Sequence, residues 1–127
     1  MSCQGIKSFW SGGFKVWRVF FSYMDSEGWV ELRPGVMRRP LAVNEGWGLQ
    51  ADLIRIGGGV TDRPHTHDDI EWVYVLEGSF EDQAGMHVKG DFVVNSSEGV
   101  HQVTTGPGGC LLFIVWSGSV SEVDDGR

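Results

Sequence analysis

Short apolar and β-branched segments alternate with glycine-containing turns along most of the chain. No long stretch shows the apolar periodicity of a helix, although residues 36–43 are compatible with one short helical turn. Strands are indicated instead, because β-branched and aromatic residues favour an extended backbone. The predicted strands are residues 14–23, 29–32, 49–56, 70–76, 79–82, 92–95, 100–104 and 110–116. Many short strands separated by turns predict an all-β sandwich or barrel.

Glycines mark several boundaries between the predicted strands. Glu77 and Gly78 separate two of them, and because glycine readily adopts a positive φ, we predict a hairpin turn there. No linker or internal repeat divides the 127 residues, a length typical of one domain. We predict an N-terminal strand extension (residues 1–28), a barrel (29–116) and a polar, acidic tail (117–127) that frays.

The composition excludes several classes of protein. With 6 Trp, 7 Phe and 2 Tyr, the chain is too rich in aromatic residues for intrinsic disorder. Its apolar runs are far shorter than the ~20 residues that cross a bilayer, and no secretory signal pattern opens it. We therefore expect a cytoplasmic protein with no membrane partner. Cys3 and Cys110 form neither a disulfide framework nor the paired ligands of a zinc knuckle.

The charge balance argues against nucleic acid as a partner. Seventeen acidic against ten basic residues give a formal net charge of −7, whereas nucleic-acid binding relies on Lys and Arg to neutralise phosphates. The one basic cluster contains Arg33, Arg38 and Arg39. We expect this cluster in a solvated turn, with a local anion site as the alternative.

Three histidines and a glutamate have a spacing that suits a metal ion. His65 and His67 are two residues apart, so on a strand both side chains project from one face. Glu71 shares their parity beyond a turn, and His101 begins a later predicted strand. This ligand set suits Fe(II), Mn, Ni or Zn and leaves coordination positions open, as a catalytic ion requires. Alternatively, His65 and His67 are exposed polar residues; His87 is expected at the surface or in a hydrogen bond.

This cluster resembles the cupin family. Every fixed position of the first cupin motif, G-x5-H-x-H-x3–4-E-x6-G, is filled, by Gly59, His65, His67, Glu71 and Gly78. The second cupin motif is looser, because Ser97 stands where proline is usual and the later asparagine is missing. Gly90 is in place, and His101 falls where the last histidine ligand of the family belongs.

A narrower resemblance is to the cupin subgroup that includes the anti-sigma factor ChrR and the acetylacetone-cleaving dioxygenases. It covers residues 29–116 and rests on residues 75–82 (VLEGSFED) and on downstream positions, namely Gly85, Gly90, Asn95, His101, Gly109, Cys110 and Phe113. Residues 95–101 read NSSEGVH where the subgroup has NPPGSxH, so the loop before the histidine is altered.

The resemblance implies a cupin barrel (a double-stranded β-helix, or jelly roll) that is often dimeric and holds its metal inside one end. One divalent transition metal ion per subunit is expected, with Fe(II) favoured and Zn, Ni or Mn as alternatives. The ligands implied are His65, His67, Glu71 and His101.

Strand parity separates the inside of this barrel from its outside. Trp72, Tyr74 and Leu76 should point outward, where the N-terminal strand or the second subunit of a homodimer would cover them. The partner expected inside is a small, partly apolar molecule. The residues expected around it are Val73, Val75, Phe92, Val103 and Phe113, with Arg55 and Arg63 as candidates for holding a carboxylate or as members of structural ion pairs.

The function implied is metal-dependent chemistry on a small carbonyl compound that forms an enolate. The first hypothesis is an Fe(II) dioxygenase acting on a β-dicarbonyl or α-hydroxyketone, with Glu71 as a fourth ligand or as a catalytic group beside the ion. The acetylacetone-cleaving enzymes rely on three histidines, so Glu71 departs from them. A non-redox cyclase or isomerase using Zn, Ni or Mn is the second hypothesis, and a metal- or ligand-binding sensor module is the third.

Overall fold

Every regular element that the structure describes is a β-strand. The structure is a computed structural model, and it describes residues 4–11, 14–22, 28–95 and 99–123. The strands are β1 (Gln4–Ser11), β2 (Phe14–Ser22), β3 (Val30–Arg33), β4 (Val36–Asn44), β5 (Leu49–Ile56), β6 (His65–His67), β7 (Glu71–Asp82), β8 (Gly85–Val88), β9 (Phe92–Asn95), β10 (Thr104–Ser117) and β11 (Val120–Glu122). Within these residues there is no apolar helix that could span a membrane. The predicted all-β fold class is confirmed.

A large antiparallel sheet provides most of the barrel wall. Its strand order is β3-β4-β5-β10-β7-β8, with β9 also paired to β7. A small sheet joins β6 to β11, and β1 pairs with β2 in another two-stranded sheet. Isolated bridges connect Thr61 to Thr104 and His65 to His101. The second bridge places two of the predicted metal ligands side by side.

Apolar side chains on the inward faces of these strands form the core. Val73 and Val75 on β7 are buried, as their parity predicts, and they pack with Val36, Ile56, Phe80, Cys110 and Leu112. Burial of apolar surface at roughly 25 cal/mol per Å² makes this cluster the main stabilising feature of the barrel. Burial also raises the pKa of the Cys110 thiol to about 11, so this cysteine stays protonated at neutral pH.

The segment from residue 36 to 43 is extended, so the predicted helical turn is wrong. It belongs to β4, which pairs with β3 on one side and with β5 on the other. The predicted solvated turn for the basic cluster is wrong for the same reason, because Arg38 and Arg39 lie within this strand. Arg39 is only 3% exposed. Sheet hydrogen bonds on both sides of β4 override the weak local preference of the segment.

Gly78 lies inside one continuous strand, and the predicted hairpin turn at this position is wrong. β7 runs without interruption through Gly78, and the turn follows Asp82 instead, where Asp82 Oδ1 accepts a hydrogen bond from the Ala84 amide at 2.9 Å. The positive φ that the glycine predicts is present, at 74°. It accompanies a register shift between β7 and β10, in which Gly78 pairs with Cys110.

Replacing Gly78 by alanine is expected to lower the free energy of unfolding by about 2–4 kcal/mol. The added Cβ would lie 2.0 Å from the Gly109 carbonyl oxygen and 2.9 Å from the Cys110 Cα, so backbone must move. Gly48 is the matched control, because its φ is 62° but no atom lies within 4 Å of the added Cβ. Gly48→Ala should cost about 1 kcal/mol in urea denaturation. Equal losses at both positions would contradict the steric explanation.

The outer face of β7 exposes aromatic side chains, as its parity predicts. Trp72 and Tyr74 are 43% and 40% exposed. Val94 and Phe92 lie opposite them on β9 and are exposed as well. Apolar faces of this kind are unfavourable in water unless something covers them. That a second subunit or the N-terminal strands provide the cover stays a prediction.

The C-terminal segment contains a strand that the sequence does not predict. Residues 117–127 are expected to fray, whereas Val120–Glu122 form β11 and pair with the strand that carries His65 and His67. The Ser119 hydroxyl also donates to Asp68 Oδ2 at 2.8 Å, just beyond β6. A three-residue strand is too short to produce a recognisable periodicity, so only its pairing with β6 defines it.

Candidate metal centre

Two histidines of β6 project from the same face into the barrel. The ring centroids of His65 and His67 lie 4.8 Å apart. The backbone of His65 exchanges two hydrogen bonds with that of His101, at 2.9 and 2.8 Å, and this exchange fixes the third imidazole beside them. The His101 ring centroid lies 5.5 Å from that of His67 and 6.2 Å from that of His65. The structure therefore brings together three imidazoles from two separate parts of the chain.

Glu71, at the start of β7, completes the cluster. Its Oε2 atom lies 3.1 Å from His67 Nε2. The ligand atoms of His65, His67 and Glu71 all lie within 4.8 Å of one another, close enough to hold one ion. Asn95 on β9 is opposite Glu71 in the sheet, and its Nδ2 donates to Glu71 Oε1 at 2.8 Å. This hydrogen bond restrains one carboxylate oxygen while the other faces the histidines.

The donor atoms of His65, His67 and Glu71 are grouped closely enough for one metal ion, and the His101 ring lies beside them as a further candidate donor. His67 Nε2 and His101 Nε2 are buried, and neither makes a hydrogen bond among the described residues, since the 3.1 Å contact of His67 Nε2 with Glu71 Oε2 is an ion-pair contact that lacks hydrogen-bond geometry. Buried nitrogens without partners are unfavourable, so each such atom needs an explanation. A divalent cation supplies one, because it would accept the lone pairs of both atoms.

The hydrogen bond of His65 selects the tautomer that a metal requires. His65 Nδ1 lies 3.1 Å from the carbonyl oxygen of Arg63. A carbonyl only accepts hydrogen bonds, so Nδ1 carries the proton and Nε2 keeps its lone pair. Metal-binding histidines commonly donate their second ring nitrogen to a carbonyl in this way, because the contact orients the ring.

The electrostatics of His67 favour its neutral form. Burial lowers the pKa of His67 below its ordinary value, the Glu71 carboxylate partly opposes this effect, and the neighbouring His65 and His101 lower the pKa further. A neutral imidazole is the form that binds metals, since a proton and a cation compete for the same lone pair. At neutral pH, His67 is therefore ready to act as a ligand.

The metal centre opens onto a cavity of about 380 Å³. Of the side chains that the sequence suggests for a substrate pocket, Val73, Val103 and Arg63 line this cavity. Val75 is fully buried in the apolar core. The cavity therefore has a partly apolar wall next to the metal ligands, which suits a small organic molecule.

Three other suggested pocket residues lie on the outside of the barrel, away from this cavity. Phe92 and Phe113 both pair with Tyr74, which points outward, so strand alternation directs all three rings outward. Arg55 is exposed, and its guanidinium carbon lies 5.8 Å from the centre of the Trp29 ring. Sequence alone does not reveal this, because the facing of a residue depends on the register of its strand.

Two residues that touch the metal ligands are not identified as site residues from the sequence. Asn95 is noted there only for the family resemblance, although it restrains Glu71. Gln83 lies in the turn after β7, where its Nε2 donates to the Val100 carbonyl and lies 3.3 Å from His101 Nδ1. Neither has a periodic signal of its own, and a search for polar residues opposite Glu71 in a paired strand could have found only Asn95.

The comparisons with known proteins agree with this architecture. The model of the ChrR cupin-like domain family matches residues 19–120. An acetylacetone dioxygenase from Acinetobacter johnsonii is 15% identical, with a TM-score of 0.74 over 83% of this chain and 78% of that one. An RmlC-like cupin from Ralstonia eutropha is 18% identical, with a TM-score of 0.73 over 83% and 73% of the two chains. No curated protein is significantly similar to the chain.

The anti-sigma factor ChrR itself is also similar. In the structure of Rhodobacter sphaeroides SigE in complex with ChrR, the matching chain is 26% identical, with a TM-score of 0.67 over 73% of this chain. This chain spans 51% of that one and 60% of a cupin-like protein of unknown function from Ralstonia eutropha. The predicted cupin barrel is thus confirmed, and the chain belongs to the ChrR cupin-like domain family.

Proposed function

We propose that this protein is a metal-dependent enzyme, specifically an Fe(II) dioxygenase, acting on a small carbonyl compound that forms an enolate. One observation carries the proposal: two buried imidazole nitrogens, His67 Nε2 and His101 Nε2, lack hydrogen-bond partners in the described chain beside a cavity large enough for a small molecule. The similarity in fold to an acetylacetone dioxygenase supports the choice of reaction.

The ligand residues and their neighbours have separate roles in this proposal. His65, His67 and His101 would hold the ion, with Glu71 either as a fourth ligand or as a catalytic group beside it. A divalent transition metal supplies Lewis-acid polarisation of a bound carbonyl and, in the case of iron, redox chemistry with O2. The Arg63 carbonyl orients His65, and the Asn95 amide orients Glu71.

As a catalytic group beside the ion, and not as its ligand, Glu71 would move a proton. Asn95 occupies Oε1, so Oε2 is the atom available to take a proton from the carbon next to a substrate carbonyl. Val73 and Val103 line the cavity with apolar side chains, which would keep water away from this position once a substrate is bound. Exclusion of water strengthens the electrostatic interactions between the substrate and the charged groups around it.

A second candidate function is a non-redox cyclase or isomerase that uses Zn, Ni or Mn. The position of Glu71 favours it, because a carboxylate 3.1 Å from His67 Nε2 adds an oxygen donor to the three imidazoles. Such a mixed set of nitrogen and oxygen ligands is compatible with all of these metals. If Glu71 instead stands beside the ion without binding it, its Oε2 would transfer a proton between two carbons of one substrate.

The identity of the metal and the need for oxygen separate the two functions. Protein purified without a histidine tag would be analysed for metals, then stripped and reloaded with Fe(II), Zn(II), Ni(II) or Mn(II). Each form would be assayed with β-dicarbonyl and α-hydroxyketone compounds in an oxygen electrode. We expect oxygen uptake stoichiometric with substrate loss in the Fe(II) form alone. Equal turnover under argon with Zn(II) would contradict the dioxygenase and support the second candidate.

A further inference from the structure

A polar group of residues lines the same cavity as the metal ligands and extends away from them, since its Trp116 is paired with Glu71 and its Arg38 lies two strands farther on. Arg38 on β4, Asp52 on β5 and Trp116 on β10 all contribute to the lining. In the sheet order β4-β5-β10-β7, Arg38 and Glu71 are separated by the two strands between theirs. Because this sheet curves around the cavity, the two side chains approach the enclosed space from different sides.

The carboxylate of Asp52 contacts the other members of this polar group. It is 2% exposed, and its carboxylate accepts hydrogen bonds from Trp116 Nε1 at 2.6 Å and from Gln50 Nε2 at 3.1 Å. Arg38 Nε lies 3.2 Å from the same carboxylate. A buried charge is tolerated only when it is paired and hydrogen-bonded, and these three neighbours satisfy that condition.

Arg38 keeps hydrogen-bonding capacity for a ligand. The ion pair with Asp52 involves Nε, whereas the side chain as a whole is 27% exposed and lines the cavity. A guanidinium carries five N–H donors in a rigid fork, so the terminal nitrogens remain for another acceptor. Two parallel N–H donors of this kind match the two oxygens of a carboxylate.

The other arginines that line the cavity are engaged by the protein. Arg33 donates to Asp62 through both Nε and Nη2, so its fork is already occupied by a carboxylate. Arg63 is mostly exposed and lies 3.2 Å from Glu122. Arg38 differs from both, because its ion pair with Asp52 involves Nε and no hydrogen bond of its terminal nitrogens is seen among the described residues, while its side chain lines the cavity.

We propose that Arg38, aligned by Asp52, binds the carboxylate of a small organic acid whose carbonyl oxygen lies at the metal centre. The contact between the carbonyl and the metal rests on the proposed function, whereas the contact between the carboxylate and Arg38 does not. The ligand would be an oxo acid, with its anionic group and its carbonyl held at different walls of the cavity. Asp52 acts as a positioning residue, since its own oxygens are occupied by protein donors.

Matched probes test this assignment. The probes are 4-oxopentanoate and 4-oxopentanamide, which have nearly the same shape but differ in charge at one end. Binding to the Zn(II)-loaded protein would be measured by calorimetry. We expect the acid to bind at least about tenfold more tightly than the amide, because a hydrogen bond to a charged group is stronger than one to a neutral group.

Variants of Arg38 locate the origin of that preference. Arg38→Gln should weaken binding of the acid about tenfold or more, whereas the affinity for the amide should stay within about threefold of the wild-type value. Arg38→Lys, which keeps the charge and the pairing with Asp52, should retain part of the preference. Lys89→Gln, at an exposed turn position, is the control for loss of one positive charge. It should change the affinity for neither probe. An acid that binds equally well to the wild type and to Arg38→Gln would overturn the proposal.

Metal-free protein separates a failure of this inference from a failure of the proposed function. In the absence of metal, the preference for the acid should persist at weaker overall affinity, because Arg38 does not contact the ion. If the chain binds no metal but still prefers the acid, the proposed function fails and the Arg38 site stands. If the chain binds one metal ion but shows no preference for the acid over the amide, the Arg38 proposal is wrong and the proposed function is unaffected.

Discussion

Replacing His101 by alanine is expected to lower the affinity for Zn(II) by about 100-fold or more, with a matching loss of any metal-dependent activity. The reason is that His101 Nε2 is buried and makes no hydrogen bond in the described structure. The substitution therefore removes a metal ligand and no hydrogen bond of this nitrogen. His65→Ala should have an effect of similar size. Metal content after dialysis against a chelator, measured by mass spectrometry, gives the result.

His87 provides the matched control for this experiment. Its Nε2 lies 2.9 Å from Asp82 Oδ1, and its ring packs 4.8 Å from that of Phe80, outside the metal cluster. His87→Ala should therefore retain the metal at one ion per chain. Full metal content in His101→Ala would remove His101 from the ligand set.

A graded result is expected from the residue that restrains Glu71. Asn95→Ala removes the hydrogen bond to Glu71 Oε1 but leaves all four ligands in place. Loss of such an outer contact typically weakens metal binding by roughly 10-fold to 100-fold. Asn95→Ala should therefore bind metal more tightly than His101→Ala and more weakly than the wild type.

Removal of the Asp52 carboxylate is expected to produce the largest loss of stability from a polar substitution. Asp52→Ala leaves the Arg38 guanidinium, the Trp116 indole N–H and the Gln50 amide without their shared acceptor. Breaking a buried ion pair by removing one partner typically costs about 3–5 kcal/mol. Urea denaturation of the metal-free protein measures this loss without a contribution from the ion.

Two further variants separate charge from packing at this position. Asp52→Asn keeps the shape and one acceptor oxygen, so its loss should be smaller than that of Asp52→Ala. Asp69→Ala removes an exposed carboxylate and should stay within about 0.5 kcal/mol of the wild type. A loss at Asp52 no larger than that at Asp69 would show that the buried polar group does not stabilise the barrel.

Local pattern was enough to predict several strands. The predicted strands at 49–56 and 92–95 coincide with β5 and β9. Parity was equally informative on β7, where Val73 and Val75 are buried and Trp72 and Tyr74 are exposed. These predictions succeed because the side chains of a strand alternate between two faces, so the order of apolar and polar residues in the sequence shows which residues share a face.

Pattern failed wherever the outcome depended on a partner strand. Residues 36–43, which are compatible with a helical turn, belong to β4 because the neighbouring strands β3 and β5 pair with them on both sides. β11 forms in a tail expected to fray because it gains hydrogen bonds from β6, a strand distant in sequence. Phe92 and Phe113 were assigned to the pocket, yet their pairing with Tyr74 places them on the outer face. Register between strands fixes the direction of every side chain, and no local signal specifies it.

The sequence by itself determined the all-β class, the alternating faces of β7 and the chemical types available to bind a metal, since residue identity and short spacing decide these properties. The tertiary structure alone decided that His101 stands beside His65, that Asn95 restrains Glu71, and that a buried Asp52 pairs with Arg38 at the cavity wall. Each of these contacts joins residues on different segments of the chain, and each depends on how those segments are placed against one another. Their physical cause is the pairing and packing of the strands, which set distances that linear spacing does not contain.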